Sequence, residues 1–353
     1  MSLEFKISNK SVGDDHPVFF IAEAGVNHNG SIDLAKELID IAFDAEVDAV
    51  KFQTFKAEEI ITKNAPKADY HIQTTGHDNQ QTWYDLLKTQ ELSFEMHKEL
   101  ISYCGTKGII FMSTPYSLQG VDLLNDLGAP AFKVSSSDIT NFPLLDHISK
   151  IGKPVIISTG ASELDEVQSA VELFRKNQFK EFVLLQCTSN YPTVLEDSNL
   201  SVMQSYRSEF GCLYGYSDHT DSLINPIAAT ALGACVFEKH FTTDKKLPGP
   251  DHRMSMDPEE LKQNVAAVRN TEKALGNPEK RVLPGEMEVR EKIRKSIVAS
   301  RKIFAGETIS LEMLVCKRPG DGIPPSQLEQ LLGKKATCDI LADSQLRTEI
   351  LSD

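Results

Sequence analysis

The chain has 353 residues, and 51 acidic against 37 basic side chains leave a formal net charge of −14, with 41% hydrophobic and 25% charged residues. This is a globular composition whose acidic balance opposes non-specific binding of nucleic acid, so an anionic ligand has to be held by a local cluster of positive groups. The longest apolar runs, such as 18–22 and 154–157, fall far short of the roughly 20 residues that cross a bilayer, and the first ten residues contain no apolar signal core. The expectation is a cytoplasmic protein with no membrane partner. Six scattered cysteines without a C-x-x-C pair disfavour both a disulfide framework and a thiolate zinc site, and read as small buried apolar residues.

In chain order, β-rich apolar runs occur at 18–22, 49–53, 109–113, 131–135, 154–158, 182–187, 212–217 and 234–240. Helix-like stretches lie between them. In 31–46, Ile32, Ala35, Leu38, Ile39, Ala42 and Phe43 fall at helical spacing behind an Asn29-Gly30-Ser31 turn and N-cap, and 93–108, 117–128, 162–174 and 222–234 read as further helices. Alternating strands and helices imply parallel strands with right-handed crossovers, and eight of them predict a (β/α)8 TIM barrel, with an open doubly wound sheet as the fallback. The barrel pattern ends near residue 276. The charged, proline-containing stretch 277–295 predicts a linker with a short helix, and 296–353 a small β-rich module too small to be robust alone.

Every predicted strand ends in polar residues, which in a barrel converge on the C-terminal rim where active sites form. His219 and His240 end neighbouring strands, and two neutral imidazoles on one rim make a divalent-metal site with open positions. With nitrogen and oxygen donors alone in prospect, Mn²⁺ or another first-row ion fits better than a structural zinc. Lys51 and Lys133 point inward from the second and fourth strands, where buried ammonium groups call for an anion. With hydroxyls at Thr114, Ser136, Ser158 and Ser217 they suit a small phosphorylated carboxylate, while a Schiff-base lysine is the competing reading. Glu23 and Asp251 are candidate general acids or bases.

The motifs IAEAGVNHNGS (21–31), KFQTF (51–55), STPYS (113–117), KVSSSDITN (133–141), ISTGAS (157–162), CTSNYP (187–192), YSDHT (216–220), EKHFTTDKKLPGPDHRMS (238–255) and KRPGDGI (317–323) resemble, in order and spacing, the sialic acid synthases. The likeness covers essentially the whole chain, including a C-terminal antifreeze-like (SAF) module. It implies condensation of phosphoenolpyruvate with an N-acetylmannosamine-type sugar to N-acetylneuraminate, or a close relative, and phosphate. It implies that Lys51, Gln53, Thr114, Lys133, Ser136, Ser158, Ser189, Tyr191 and Ser217 bind phosphoenolpyruvate. His219 and His240 would hold Mn²⁺, with Mg²⁺ or Co²⁺ as substitutes, and Glu23 and Asp251 would face the reacting water and the sugar. Arg318 would reach the sugar's N-acetyl group from the partner of a domain-swapped homodimer.

Two features depart from the family pattern. Many relatives have Lys-Ile-x-Ser-Gly-Glu where this chain has Lys133-Val134-Ser135-Ser136-Ser137-Asp138, and some have Asn where Ser189 stands. The intact GPDH at 249–252 argues against the pseudaminic acid branch, whereas 65–78 resembles legionaminic acid synthases, making a 2,4-diacetamido-2,4,6-trideoxymannose acceptor the alternative. A non-catalytic saccharide-binding or ice-binding protein is the reading from another class.

Overall fold

The computed structural model describes residues 3–66 and 82–353; the 65–78 stretch lies, apart from its first two residues, outside them. By internal contacts the chain divides into two units, Met1–Gly276 and Asn277–Asp353.

The first unit opens with an antiparallel hairpin, β1 (Glu4–Ile7) and β2 (Lys10–Gly13). Eight parallel strands follow: β3 (Phe19–Gly25), β4 (Ala49–Thr54), β5 (Ile110–Pro115), β6 (Phe132–Val134), β7 (Val155–Ser158), β8 (Phe182–Cys187), β9 (Leu213–Asp218) and β10 (Val236–His240). Their order is β5-β4-β3-β10-β9-β8-β7-β6, and β5 and β6 lie alongside each other at the remaining seam. The result is a nearly closed TIM-like barrel.

Side chains alternate along each strand, and this alternation builds the site. On one parity Phe20, Ala22, Val50, Phe52, Phe132, Ile157, Leu184 and Phe237 pack outward against the helices. On the other, Phe19, Ile21, Ala49, Met112, Ile156, Val183, Leu185 and Val236 fill the interior. Phe5, Ile7 and Val12 of the hairpin join this inner cluster and plug the barrel. Continuing the inward parity toward the strand ends gives Glu23, Lys51, Gln53, Thr114, Ser158, Cys187, Ser217, Glu238 and His240. The polar mouth is the upper layer of the same stack whose lower layers are aliphatic.

Helix Ile32–Asp44 shows how the outer ring is fixed locally. Ser31 accepts the Leu34 amide at 3.3 Å as N-cap, Asn29 and Gly30 turn through positive φ just before it, and Ala35, Leu38, Ile39 and Ala42 are buried. Phe43, read as a core position, is instead largely exposed, with the Lys107 ammonium 5.8 Å from its ring centre.

The second unit has its own small core of Ile297, Ala299, Ile303, Ile309, Met313, Ile323, Leu331, Ala336, Ile340 and Leu346. Two short antiparallel ladders frame it, β11 (Ser296–Ala299) with β12 (Leu314–Lys317) and β13 (Lys335–Ala336) with β14 (Leu351–Ser352). Helix Met287–Ile293 belongs to this unit, and the Gly320 amide donates to the Glu291 carbonyl at 2.8 Å. Among the described residues no helix is long and apolar enough to cross a membrane.

Candidate active site

The strand ends surround a cavity of about 690 Å³ at the barrel mouth, within the range of small-molecule sites. Its floor is an alternation of buried charges. Lys51 Nζ lies 2.6 Å from Glu23 and 3.6 Å from Glu238, and donates to Thr114 Oγ1 at 3.1 Å. Lys133 Nζ donates to Ser158 Oγ at 2.7 Å and to its neighbour's carbonyl at 3.0 Å, with Glu238 3.6 Å away. Gln53 donates to Glu23 at 3.3 Å and Ser217 to Glu238 at 3.1 Å. Two ammonium groups facing two carboxylates make the buried floor tolerable without ligand.

The burial of these groups moves their titration. Burial lifts the Glu23 carboxyl to about 7, with the Lys51 ammonium pulling the other way and the Glu238 carboxylate adding to the rise. Burial likewise raises Asp251 to about 6, against the pull of His219. Lys133 is lowered by burial, which outweighs the support of Glu238. Carboxyls displaced toward neutrality in a cleft mark a candidate catalytic centre.

His219 and His240 stand on the same rim with ring centroids 5.5 Å apart. The Tyr191 ring lies 4.3 Å from His219 and 6.4 Å from His240. The Nδ1–H of His219 donates to the Thr188 carbonyl at 2.8 Å; burial works against protonation of this ring, but Cys187, the Thr188 carbonyl and Asp218 raise it above the usual histidine range, so a cation would have to displace a proton from Nε2 to use its lone pair. His240 Nδ1 is buried with no hydrogen-bond partner, 4.0 Å from Asp251. Burial, then the positive neighbours His219 and Lys51, hold His240 well below the usual histidine range, so the ring stays neutral. A tautomer fixed by a carbonyl and an orphaned neutral nitrogen fit a divalent cation with nitrogen ligands. Among the described residues no cluster of three or more His, Cys, Asp or Glu is arranged to hold one. Such an ion would therefore keep open positions.

Asp251 is positioned by the loop that follows β10. Ser255 donates to the Asp251 carbonyl at 2.6 Å, and Asn27 Nδ2 donates to Ser255 Oγ at 2.9 Å and to the Phe241 carbonyl at 2.8 Å. Asn27 of the first loop thereby ties the Asp251 loop to the barrel.

Residues 38–280 match the NeuB family model and 294–351 the SAF domain. The chain is 44% identical over 344 residues to the N,N'-diacetyllegionaminic acid synthase of Legionella pneumophila, covering 96% of each. It belongs to the sialic acid synthase (NeuB) family. The corresponding synthase of Campylobacter jejuni is 45% identical, over 93% of this chain and 98% of its own. The sialic acid synthetase of Leptospira borgpetersenii, solved with citrate, superposes with a TM-score of 0.71 at 34% identity, over 82% of this chain and 95% of that one.

Glu23, Lys51, Gln53, Thr114, Lys133, Ser136, Ser158, Ser189, Tyr191, Ser217, His219, His240 and Asp251 all line the one cavity. Arg318 belongs to the second unit, where it is exposed and its Nε donates to the Ile293 carbonyl at 3.0 Å. Asp218 and Lys239, which precede the two histidines in the chain, face the other way. They form a buried ion pair of 2.5 Å behind the sheet, completed by Thr220 and Asn225 donating to Asp218. Lys239→Met should cost about 3–5 kcal/mol of stability by leaving Asp218 buried and unpaired, and much of that loss should return in Lys239→Met/Asp218→Asn. Urea unfolding of the three proteins measures both effects.

Sequence reasoning placed Glu238 on the rim without giving it a role, and missed Cys187 and Gly160 as contributors to the site. Gly160 donates its amide to Ser136 Oγ at 2.9 Å. A Cβ there would stand 2.3 Å from Ser189 Oγ, 3.0 Å from Ser136 Oγ and 3.1 Å from Cys187 Sγ. The bare backbone is what lets the hydroxyls of two loops meet. Gly160→Ala should displace Ser189, and a loss of about 1–3 kcal/mol of ligand binding there corresponds, at 1.36 kcal/mol per decade, to a rise in KM of about 5- to 150-fold. Melting temperature should change little, because Ser189 sits on an exposed loop that can yield.

Proposed function

We propose that the protein condenses phosphoenolpyruvate with the open-chain aldehyde of N-acetylmannosamine or a close derivative, forming N-acetylneuraminate or its analogue and inorganic phosphate. The observation carrying this is the convergence of Lys51 and Lys133, each with a hydroxyl partner, on a cavity whose side wall holds His219 and His240. The lysines and the hydroxyls of Thr114, Ser136, Ser158, Ser189 and Ser217 bind the carboxylate and phosphate of phosphoenolpyruvate. His219 and His240 would hold a divalent ion, Mn²⁺ fitting the donor set. Such an ion supplies Lewis-acid polarisation to a carbonyl oxygen.

The remaining work falls to the protein. The floor orients C3 of phosphoenolpyruvate toward the aldehyde carbon, and proximity supplies much of the acceleration. As that C–C bond forms, the aldehyde oxygen takes the C=O electron pair and a proton from solvent to become a hydroxyl, while positive charge develops at C2 and water adds there. Glu23 takes a proton from this water, since a carboxylate near neutrality is suited to general-base work. The tetrahedral carbon then expels phosphate by C–O cleavage, while Asp251 holds the sugar hydroxyls.

A second reading for the acceptor, 2,4-diacetamido-2,4,6-trideoxymannose, is favoured by the identity to two legionaminic acid synthases. Incubation with phosphoenolpyruvate, Mn²⁺ and each candidate sugar, measuring liberated phosphate, tests the condensation. Trapping of the protein by borohydride with pyruvate, in the absence of phosphate release, would replace it with a Schiff-base aldolase.

The protein would act as a homodimer whose second unit presents Arg318 to the partner barrel. His240→Ala and Arg318→Ala proteins, each nearly inactive alone, should regain about a quarter of wild-type activity when co-refolded in equal amounts, since half the dimers are mixed and each mixed dimer rebuilds one intact site. Absence of recovery in verified mixed dimers would remove the exchange.

A further inference from the structure

Asp251 stands on a loop that the backbone closes at its base. The Thr242 amide donates to the Met256 carbonyl at 2.8 Å, and the Met256 amide to the His240 carbonyl at 2.9 Å. Between these bonds the chain leaves the barrel and returns, presenting Pro250, Asp251 and Met254 to the cavity. Among the described residues the Asp251 carboxylate accepts no hydrogen bond, and His240 Nδ1 lies 4.0 Å from it. A carboxylate without hydrogen bonds of its own takes its direction from its backbone, and so from whatever props the loop.

His252, the next residue, does not line the cavity and is fully buried. Its ring spans the inside of the loop. Nδ1 lies 2.6 Å from the hydroxyl of Thr242, itself fully buried at the loop's base. Gly249 packs close to the ring: a Cβ there would stand 2.6 Å from His252 Cδ2 and 2.9 Å from Asn29 Oδ1, and its φ of 152° is one that side-chain-bearing residues rarely adopt. Asn29 Nδ2 donates to the Pro248 carbonyl at 2.9 Å, so the first loop of the barrel backs this packing. Burial, against the pull of Asp244, holds His252 at about 4. The ring is therefore neutral near pH 7 and acts on its surroundings through shape and one hydrogen bond, not through charge.

We infer that His252 is a positioning residue of the condensation: its ring, held between Thr242 and Gly249, sets the direction in which the Asp251 carboxylate enters the cavity. The inference rests on the reading in which Asp251 holds the hydroxyls of the acceptor sugar. The Asn27–Ser255 bond fixes the outgoing end of the same turn, and the imidazole fixes its start. A displacement of about 1 Å in a group that orients substrate can cost about 10²-fold in rate, so a ring that touches no ligand still governs turnover.

The test is a double-mutant cycle on the full-length protein with phosphoenolpyruvate, Mn²⁺ and whichever of the two candidate sugars the unaltered protein consumes faster. His252→Ala should lower kcat/KM for the sugar by about 10- to 100-fold and leave KM for phosphoenolpyruvate within about twofold. In an Asp251→Ala background the same substitution should cost less than about threefold, because the group it positions is already gone. His252→Asn, whose amide falls near the place of Nδ1, should recover most of the loss. His252→Gln, whose amide reaches toward Nε2, should not, since Nε2 has no hydrogen-bond partner among the described residues. If His252→Ala fails to fold, the Asn and Gln proteins decide alone. Equal losses with and without the Asp251 carboxylate, or a Gln protein as active as the Asn protein, would make His252 an ordinary core residue and leave the condensation standing. An unaltered protein that releases phosphate with neither sugar removes the condensation and this role together.

Discussion

His219→Ala and His240→Ala should each abolish phosphate release while leaving a folded barrel. The side chain of His219 has one backbone partner, the Thr188 carbonyl, and His240 Nδ1 has none, so little hydrogen bonding is lost on truncation. What is lost is an imidazole of the pair whose centroids lie 5.5 Å apart. Lewis-acid assistance is worth several kcal/mol, so a fall of at least about 10³-fold in kcat is expected. Three readouts separate the causes. Thermal unfolding should stay close to wild type, Mn²⁺ binding followed by electron paramagnetic resonance should be lost, and the KM for phosphoenolpyruvate should move little because its lysines are untouched. Full activity of His219→Ala in chelator-treated buffer would remove the metal site from the mechanism.

The barrel was readable because strands buried on both faces appear as short continuous apolar runs, and eight of them alternate with amphipathic stretches. Helices Phe142–Ile151 and Val202–Phe210 escaped because they are short, one starting at Phe142-Pro143 and the other carrying much of its length as polar surface. The β1–β2 hairpin escaped because four-residue strands turning at Ser8 give little periodicity, although the Phe5, Ile7 and Val12 spacing is the pattern of a one-sided ribbon. Within the site, identity of the residues was legible but direction was not. Asp218-His219 and Lys239-His240 look like paired functional dipeptides, yet alternation sends Asp218 and Lys239 behind the sheet. The same rule turns Glu238, two residues before His240, toward the site, as it does Cys187, two after Leu185. The apolar reading of cysteine drew attention away from parity at Cys187. Arg318 was reached only through resemblance, because the role proposed for it depends on a second chain that no local pattern announces.

Phosphoenolpyruvate should take up protons when it binds near neutral pH. Glu23, raised to about 7 by burial, with Lys51 opposing and Glu238 reinforcing, is partly protonated in the free protein at that pH. An arriving anion adds negative charge beside it, favours its protonated form and lifts it further, so the ionised fraction that serves as base shrinks on binding and kcat should rise with pH through the raised value. Lys133, lowered by burial, moves upward as well when an anion takes its ammonium group. The Glu23 shift binds protons near neutral pH. A phosphate monoester with second pKa about 6 is already ionised at about pH 7.5 and contributes little of its own. Calorimetric titrations in buffers of different ionisation enthalpy should therefore give a positive proton uptake, and affinity should weaken as pH rises through about 7, by at most about tenfold per unit for each proton bound. Glu23→Gln separates the two roles of this carboxyl. A neutral amide next to Lys51 removes the competing anion, so binding at about pH 8 should be as tight as wild type or tighter and its pH dependence shallower, whereas turnover should fall because the amide cannot accept a proton from the water that adds to C2. Proton release on binding, or a Glu23→Gln protein that turns over normally, would show that Glu23 serves only as the counter-ion of Lys51.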